Sequence, residues 1–173
     1  MSKSSVRVGL IADTHGLLRP EALAALAGSD MIVHAGDIGD ASILSQLSTI
    51  APITAVRGNN DHGEWALALR DTEQFRIGDV RILAIHDLNA LAADPDTVDI
   101  DVVVSGHSHQ PKCERREGVL YVNPGSAGPR RFRLPISVAR LTIDGSRVDV
   151  EFVTLDLSMA TAKSRPSTVQ AQR

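Results

Sequence analysis

A single cysteine, Cys113, excludes any disulfide within the chain and points to a reducing, cytoplasmic setting. In that setting Cys113 reads as an ordinary strand residue. Aromatic side chains make up only 3% of the chain although 43% of its residues are hydrophobic. The core must therefore be built from Val, Ile, Leu and Ala, which suits strands buried on both faces of an αβ layer. Charge is nearly balanced, 18 Lys and Arg against 21 Asp and Glu giving a formal net charge of -3 and a pI near 6.0. That weighs against bulk attraction to nucleic acid or to a membrane surface and leaves room only for a local basic patch. Long hydrophobic runs are missing as well. Residues 6–12 are too few for a signal-peptide core, and nothing approaches the ~20 apolar residues of a membrane span. A length of 173 residues allows one domain with a sizeable core, expected over residues 1–157. From residue 158 to 173 large apolar side chains are scarce, and a flexible tail is expected there.

What is present is a succession of short apolar segments separated by turn residues. Residues 6–12, 31–35 and 52–56 read as buried strands, with short helices over 20–26 and 41–47 between them. The first helix has Pro20 at its start and the second has Asp40 as an N-cap. These are two successive βαβ units, which bring the loops after neighbouring strands to one edge of a sheet. The second half changes character. Residues 73–77 with 80–85, 112–116 with 119–122, and 136–143 with 147–153 flank Gly78-Asp79, Glu117-Gly118 and Asp144-Gly145 and read as hairpins. An apolar strand over 101–104 lies between the first two, and no internal repeat is present.

The apolar runs end in potential metal ligands. Asp13 and His15 follow the first strand, Asp37 the second, Asn59 and Asp61 the third, and His86, His107 and His109 follow apolar runs of the second half. The two-residue spacing in Asp13-Thr14-His15 and in His107-Ser108-His109 lets both side chains of each pair point the same way from extended backbone. Mixed oxygen and nitrogen ligation favours Mn, Fe, Zn, Ni or Co over Ca or Cu(I). Four of the six histidines occupy these strand ends, which argues against a chance scatter of polar residues. A closed structural zinc site would call for cysteines that the chain does not have.

In order and spacing, D-x-H at 13–15, G-D at 36–37, G-N-x-D at 58–61, the histidine at 86 and G-H-x-H at 106–109 resemble the calcineurin-like metallophosphoesterases. The small size and the N-P-G-S segment at 123–126 are similar to their compact YfcE-type phosphodiesterase branch. The resemblance covers residues 6–153 and rests on five motifs together. It implies an α/β fold, an αββα sandwich of two mixed sheets flanked by helices. It also implies two divalent metal ions, Mn²⁺ favoured, one held by Asp13, His15, Asp37 and His109 and the other by Asp37, Asn59, His86 and His107. Asp37 would bridge, since a carboxylate can hold two cations at the ~3.5–4 Å separation of two-metal sites. Asp37, Asn59 and His107 would be catalytic, and Arg57 and Asn60 would contact substrate. The implied reaction is attack on a small phosphodiester by a hydroxide held between the metals, with a phosphomonoester as the alternative substrate. A weakly catalytic protein-interaction scaffold of the retromer-subunit type is the alternative of a different class. Neither a membrane nor nucleic acid is expected as a partner; a homodimer is the base-rate assembly.

Two departures from the family pattern matter. Larger members carry a histidine after the G-N asparagine, where it can protonate the leaving group; this chain has Asn60, which cannot act as an acid near neutral pH. The YfcE-type branch commonly has H-G-H where this chain reads His86-Asp87-Leu88. Asp87 reads as a group that orients a ligand or as a solvated loop carboxylate. His62 is the candidate substitute acid, against an ordinary exposed loop residue. His34 reads as a hydrogen-bonded core residue, Asp61 as a support for the site, Trp65 as packing, and the Arg130, Arg131, Arg133 cluster as a phosphate contact or an exposed loop.

Overall fold

The computed structural model describes residues 5–93 and 99–157; the expected tail at 158–173 lies outside the described residues. In chain order the elements are β1 (Val6–Ile11), α1 (Pro20–Leu26), β2 (Met31–His34), α2 (Ala41–Ser48), β3 (Ile53–Ala55), α3 (Glu64–Leu67), β4 (Thr72–Ile77) and β5 (Val80–Ile85). A 3₁₀ helix (Leu88–Ala93) follows, then β6 (Val102–Val104), β7 (Lys112–Arg116), β8 (Val119–Asn123), β9 (Ser137–Asp144) and β10 (Arg147–Thr154). The expected strands, the two longer helices and all three hairpins are present, their ends within a residue or so. The α3 turn and the 3₁₀ helix were not expected; both are too short to carry a helical apolar period.

Two five-stranded mixed sheets stack face to face, ordered β10-β9-β1-β2-β3 and β4-β5-β6-β8-β7. β1, β2 and β3 are parallel, as the two βαβ units require. The composition-based single αβ layer is thus doubled, because the hairpins of the second half build a sheet of their own. Within it β5, β6 and β8 also run parallel, an arrangement hairpin signals do not reveal.

Side-chain alternation explains the layering. Val8 and Leu10 of β1 and Val33 of β2 face inward, meeting Val80, Ile82, Val102, Val104, Leu120 and Val122 of the other sheet. Ile11, Ile32 and Val138 face outward under Leu26 of α1 and Ile43 and Leu47 of α2. Leu83, Ile85 and Val103 cover the far side of the second sheet, beneath Leu88 and Leu91 of the 3₁₀ helix. Each central strand is therefore apolar on both faces, which is why it reads as an unbroken run of Val, Ile and Leu. Asp40 caps α2 by accepting a bond from the Ser42 amide. Trp65 is half-buried against the helical layer, and Cys113 is an exposed residue of β7. Among the described residues, no helix is long and apolar enough to cross a membrane.

Candidate metal centre

The parallel strands of both sheets end at a common edge, and the loops beyond them are stitched together. The amides of Asp13, His15 and Gly16 donate to the carbonyls of Gly36, Asp37 and Ile38 at 2.9–3.0 Å, so the D-x-H loop runs alongside the G-D loop. The N-P-G-S segment fastens the opposite side. Ser126 Oγ donates to the Asp13 carbonyl at 3.0 Å, and Asn123 Nδ2 donates to the Gly106 carbonyl at 2.8 Å. One short stretch thus ties the D-x-H loop to the G-H-x-H loop, some ninety residues apart in the chain.

The backbone at these loops is unusual. Asp13, His15, Asp37, His107 and His109 all have positive φ, between 46° and 70°. Left-handed backbone costs a non-glycine residue ~1–3 kcal/mol and gathers at functional sites. Five expected ligands bear that cost together, so the surrounding hydrogen bonds and packing hold them in place. Their glycine neighbours give them room. A Cβ on Gly58 would stand 2.1 Å from both the amide nitrogen and Oδ1 of Asp37, and one on Gly36 would stand 2.7 Å from the His86 ring.

All seven expected ligands converge. On one side His15 Nε2 and His109 Nε2 are 3.3 Å apart, and both face Asp13 Oδ1, at 3.8 and 3.5 Å. On the other, Asn59 Oδ1 lies 2.9 Å from His86 Nε2 and 3.2 Å from His107 Nδ1. Asp37 Oδ2 sits between the two sets, 3.7 Å from His15 Nε2 and 3.3 Å from His86 Nε2.

Acceptor atoms crowd this space. The Nδ1 of His86 lies 2.7 Å from the Ala35 carbonyl, which can only accept, so Nδ1 carries a proton. Burial alone would lower His86, but its bonds to Asp37 and Ala35 raise it, so Nε2 donates toward the two oxygens in the metal-free protein and would give up that proton to bind a metal. Asp13 Oδ1 is buried with no hydrogen-bond partner among the described residues. Such a gathering of acceptors is the electrostatic demand a cation satisfies. The three-residue groups Asp13, His15, His109 and Asp13, Asp37, His86 each bring ligand atoms within 4.8 Å of one another. The residues present fit divalent metal ions.

The protonation equilibria carry the same strain. Burial pushes the Asp13 carboxyl up to about 7, while the imidazole of His86 pulls it down and the Asp37 carboxylate adds to the rise. Burial also lowers His15, and lowers His109 to about 4 with help from the charges of Arg131 and His15. Asp37 behaves oppositely: burial alone would raise it, but bonds from His86 and Asn60 hold it well below the usual carboxylate range. The Asn60 amide reaches Asp37 Oδ1 at 2.8 Å and its carboxamide reaches Oδ2 at 2.9 Å.

The remaining candidates separate clearly. Asp61 accepts from the amides of Gly39 and Gly58 at 2.9 and 2.8 Å, pinning the G-N turn to the second loop. Buried His34 accepts from the Gly36 amide on Nδ1 and donates from Nε2 to Thr14 Oγ, whose hydroxyl donates to the Ile38 carbonyl. Thr14, the middle residue of D-x-H, is thus a buried link between the D-x-H and G-D loops. Arg57 forms a two-pronged pair with Asp71 at 3.0 and 2.7 Å. Asp87 Oδ2 stands 3.8 Å from His107 Nε2, on the ring edge opposite Asn59. His62 is exposed and lines a cavity of about 770 Å³ that also takes in Asn59 and His86. Arg130, Arg131 and Arg133 lie on an exposed loop, and the charge of Arg131 acts on Asp13, His15 and His109.

Residues 6–146 match the calcineurin-like phosphoesterase superfamily domain. The chain belongs to that superfamily. This metallophosphoesterase is 35% identical over 158 residues to a probable metallophosphoesterase of Methanothermobacter thermautotrophicus, covering 84% of this chain and 91% of the other. In structure it is similar to Vacuolar Protein Sorting 29 of Cryptosporidium parvum, at a TM-score of 0.77 and 20% identity over 90% of this chain and 94% of that one. It is also similar to an archaeal phosphodiesterase, at a TM-score of 0.70 and 22% identity over 86% of this chain and all of that one (100%). The likeness to these two structures is one of fold. The phosphoesterase domain thus spans nearly all of the described chain.

Proposed function

We propose that this metallophosphoesterase hydrolyses a small phosphodiester at a centre of two divalent metal ions. Asp13, His15, Asp37 and His109 would hold one ion and Asp37, Asn59, His86 and His107 the other. The observation that carries this reading is the position of Asp37 Oδ2, 3.7 Å from His15 Nε2 and 3.3 Å from His86 Nε2, where one carboxylate serves both ligand sets. The mixture of carboxylate, carboxamide and imidazole supports Mn²⁺, with Zn, Fe, Ni and Co as the other borderline choices. When bound, such ions supply Lewis acidity, making water nucleophilic near neutral pH and neutralising charge on phosphoryl oxygens.

The chain's own residues arrange the rest. Hydrolysis forms one P–O bond from water and breaks one P–O ester bond, and the departing alkoxide needs a proton. Asn60 cannot give one, and its carboxamide is engaged with Asp37. General acid help is typically worth ~10²–10⁴-fold, so esters of acidic alcohols should be preferred unless His62 reaches the leaving group. Asn60 instead fixes the bridging carboxylate, and the Ala35 carbonyl fixes the ring of His86. The archaeal phosphodiesterase of the same fold supports the choice of a diester.

The test is Mn²⁺-dependent hydrolysis of bis-p-nitrophenyl phosphate by wild type and Asp37→Asn. Wild type should be active, and the variant should fall about a hundredfold or more, since one change weakens both sites. Full metal occupancy without hydrolysis under any divalent ion would reject the reading in favour of a partner-binding scaffold.

A further inference from the structure

Two cavities adjoin the second ligand set and share Asp87 in their walls. The larger, about 770 Å³, takes in Asn59 and His86 and has an apolar lining from Ala66, Leu67, Ile85 and Ala90. The smaller, about 290 Å³, takes in His107 and continues past Gln110 to Lys112, Arg116 and Tyr121. Its size is just below the ~300–1,000 Å³ typical of whole small-molecule sites, as suits one part of a ligand. A group held between Asn59, His86 and His107 would therefore have room for a substituent in each direction.

The charges lining the smaller cavity decide what it can take. Lys112 and Arg116 both pair with Glu114, at 3.2 and 3.1 Å, and Arg116 also lies over the Tyr121 ring, 4.9 Å from its centroid. Asp87 adds a second carboxylate, facing His107. The charges of the lining sum to zero, Lys112 and Arg116 against Glu114 and Asp87, so the cavity has no net positive charge to draw a second phosphate. Polar groups remain in its lining, on Gln110 and Ser108, beside the phenol ring of Tyr121. The larger cavity is no more cationic, because its Arg57 is held by Asp71.

Resting on the phosphodiesterase reading above, we infer that the substrate is an asymmetric diester with one phosphate and two neutral arms. The arm in the large cavity is bulky and apolar, and it leaves on hydrolysis, His62 being the imidazole of that lining that is not an expected metal ligand. The arm in the small cavity is compact and polar, of the size and chemistry of a nucleoside, and stays on the product. Substrates bearing further phosphates are excluded from both arms by charge.

The test uses the Mn²⁺-loaded protein and the variant Lys112→Trp, which fills the small cavity from an exposed position on β7. Calorimetry with thymidine 5′-monophosphate and with inorganic phosphate separates binding of the arm from binding of the phosphoryl group. The ratio of the two affinities should fall about tenfold in the variant, the loss expected when a ring-sized group is displaced from its contacts. Turnover of p-nitrophenyl thymidine 5′-phosphate relative to p-nitrophenyl phosphate should fall in parallel. Wild-type turnover with an unchanged affinity ratio and substrate ratio in the variant would overturn the two-arm inference alone. Wild type hydrolysing neither ester with any divalent metal would overturn the phosphodiesterase reading and this inference with it.

Discussion

Replacing Asp13 by Asn should make the metal-free protein more stable while destroying its response to metal. In the folded chain the Asp13 carboxyl is buried and pushed up to about 7, against 3.8 when free. Between those values the folded state holds a proton that the unfolded state has released, so stability falls as pH rises across the window. Above pH 7 the full penalty applies, about 4 kcal/mol at ~1.36 kcal/mol per pH unit. Asn keeps an oxygen for the His107 amide, which bonds Asp13 Oδ2 at 3.1 Å, and brings no charge. The assay is denaturant unfolding of both proteins in EDTA from pH 3.5 to 8.5, repeated with saturating Mn²⁺. In EDTA the variant should match wild type near pH 3.5 and exceed it by several kcal/mol at pH 8. With metal the gap should narrow by ~2.7 kcal/mol at a hundredfold excess over Kd, because wild type gains that much and the variant, having lost a ligand, gains little. A variant less stable than wild type in EDTA at pH 8, or a difference that does not shrink toward low pH, would refute the reasoning.

Other outcomes follow from neighbouring groups. Burial holds His34 near 3 against 6.5 when free, so the unfolded chain takes up a proton below pH 6.5 that the folded chain refuses. His34 should therefore contribute about 3 kcal/mol to the fall in stability between pH 6.5 and 4, alongside the falls due to His109 and His15, read most simply in the Asp13→Asn background where the opposing carboxylate slope is gone. His34→Leu should reduce that acid slope by His34's share, leaving the part due to His109 and His15, and lower stability at neutral pH by ~1–3 kcal/mol, by leaving the Gly36 amide unpaired. Gly58→Ala drives a methyl group onto the backbone and carboxylate of Asp37, and should cost about 3 kcal/mol in thermal unfolding and abolish Mn²⁺ binding by calorimetry. Normal metal binding by that variant would show that Asp37 need not sit where the structure has it.

Much of the centre was legible because its chemistry is local. Every expected ligand lies just beyond an apolar run, and the runs are strands because Val, Ile and Leu fill both faces of the central layers. Support roles for His34 and Asp61 were also readable. What was not readable is how the loops hold one another. Thr14 and Ser126 are ordinary hydroxyl residues in sequence, and only their bonds to Ile38 and Asp13 reveal them as ties between ligand loops. The left-handed backbone at the expected ligands left no signal either, since Asp and His adopt it only occasionally and do not mark it as glycine does.

The sequence by itself determined the kind of site. Ligand identity, order and spacing are covalent facts, and periodic hydrophobicity decides which segments become strands. Only the tertiary structure decided that Asp37 lies between two ligand sets, that Asn60 is committed to Asp37, and that two cavities of different character meet at Asp87. Those features arise from contacts between loops that the chain keeps far apart. Local propensity does not encode such contacts; packing one sheet against another does.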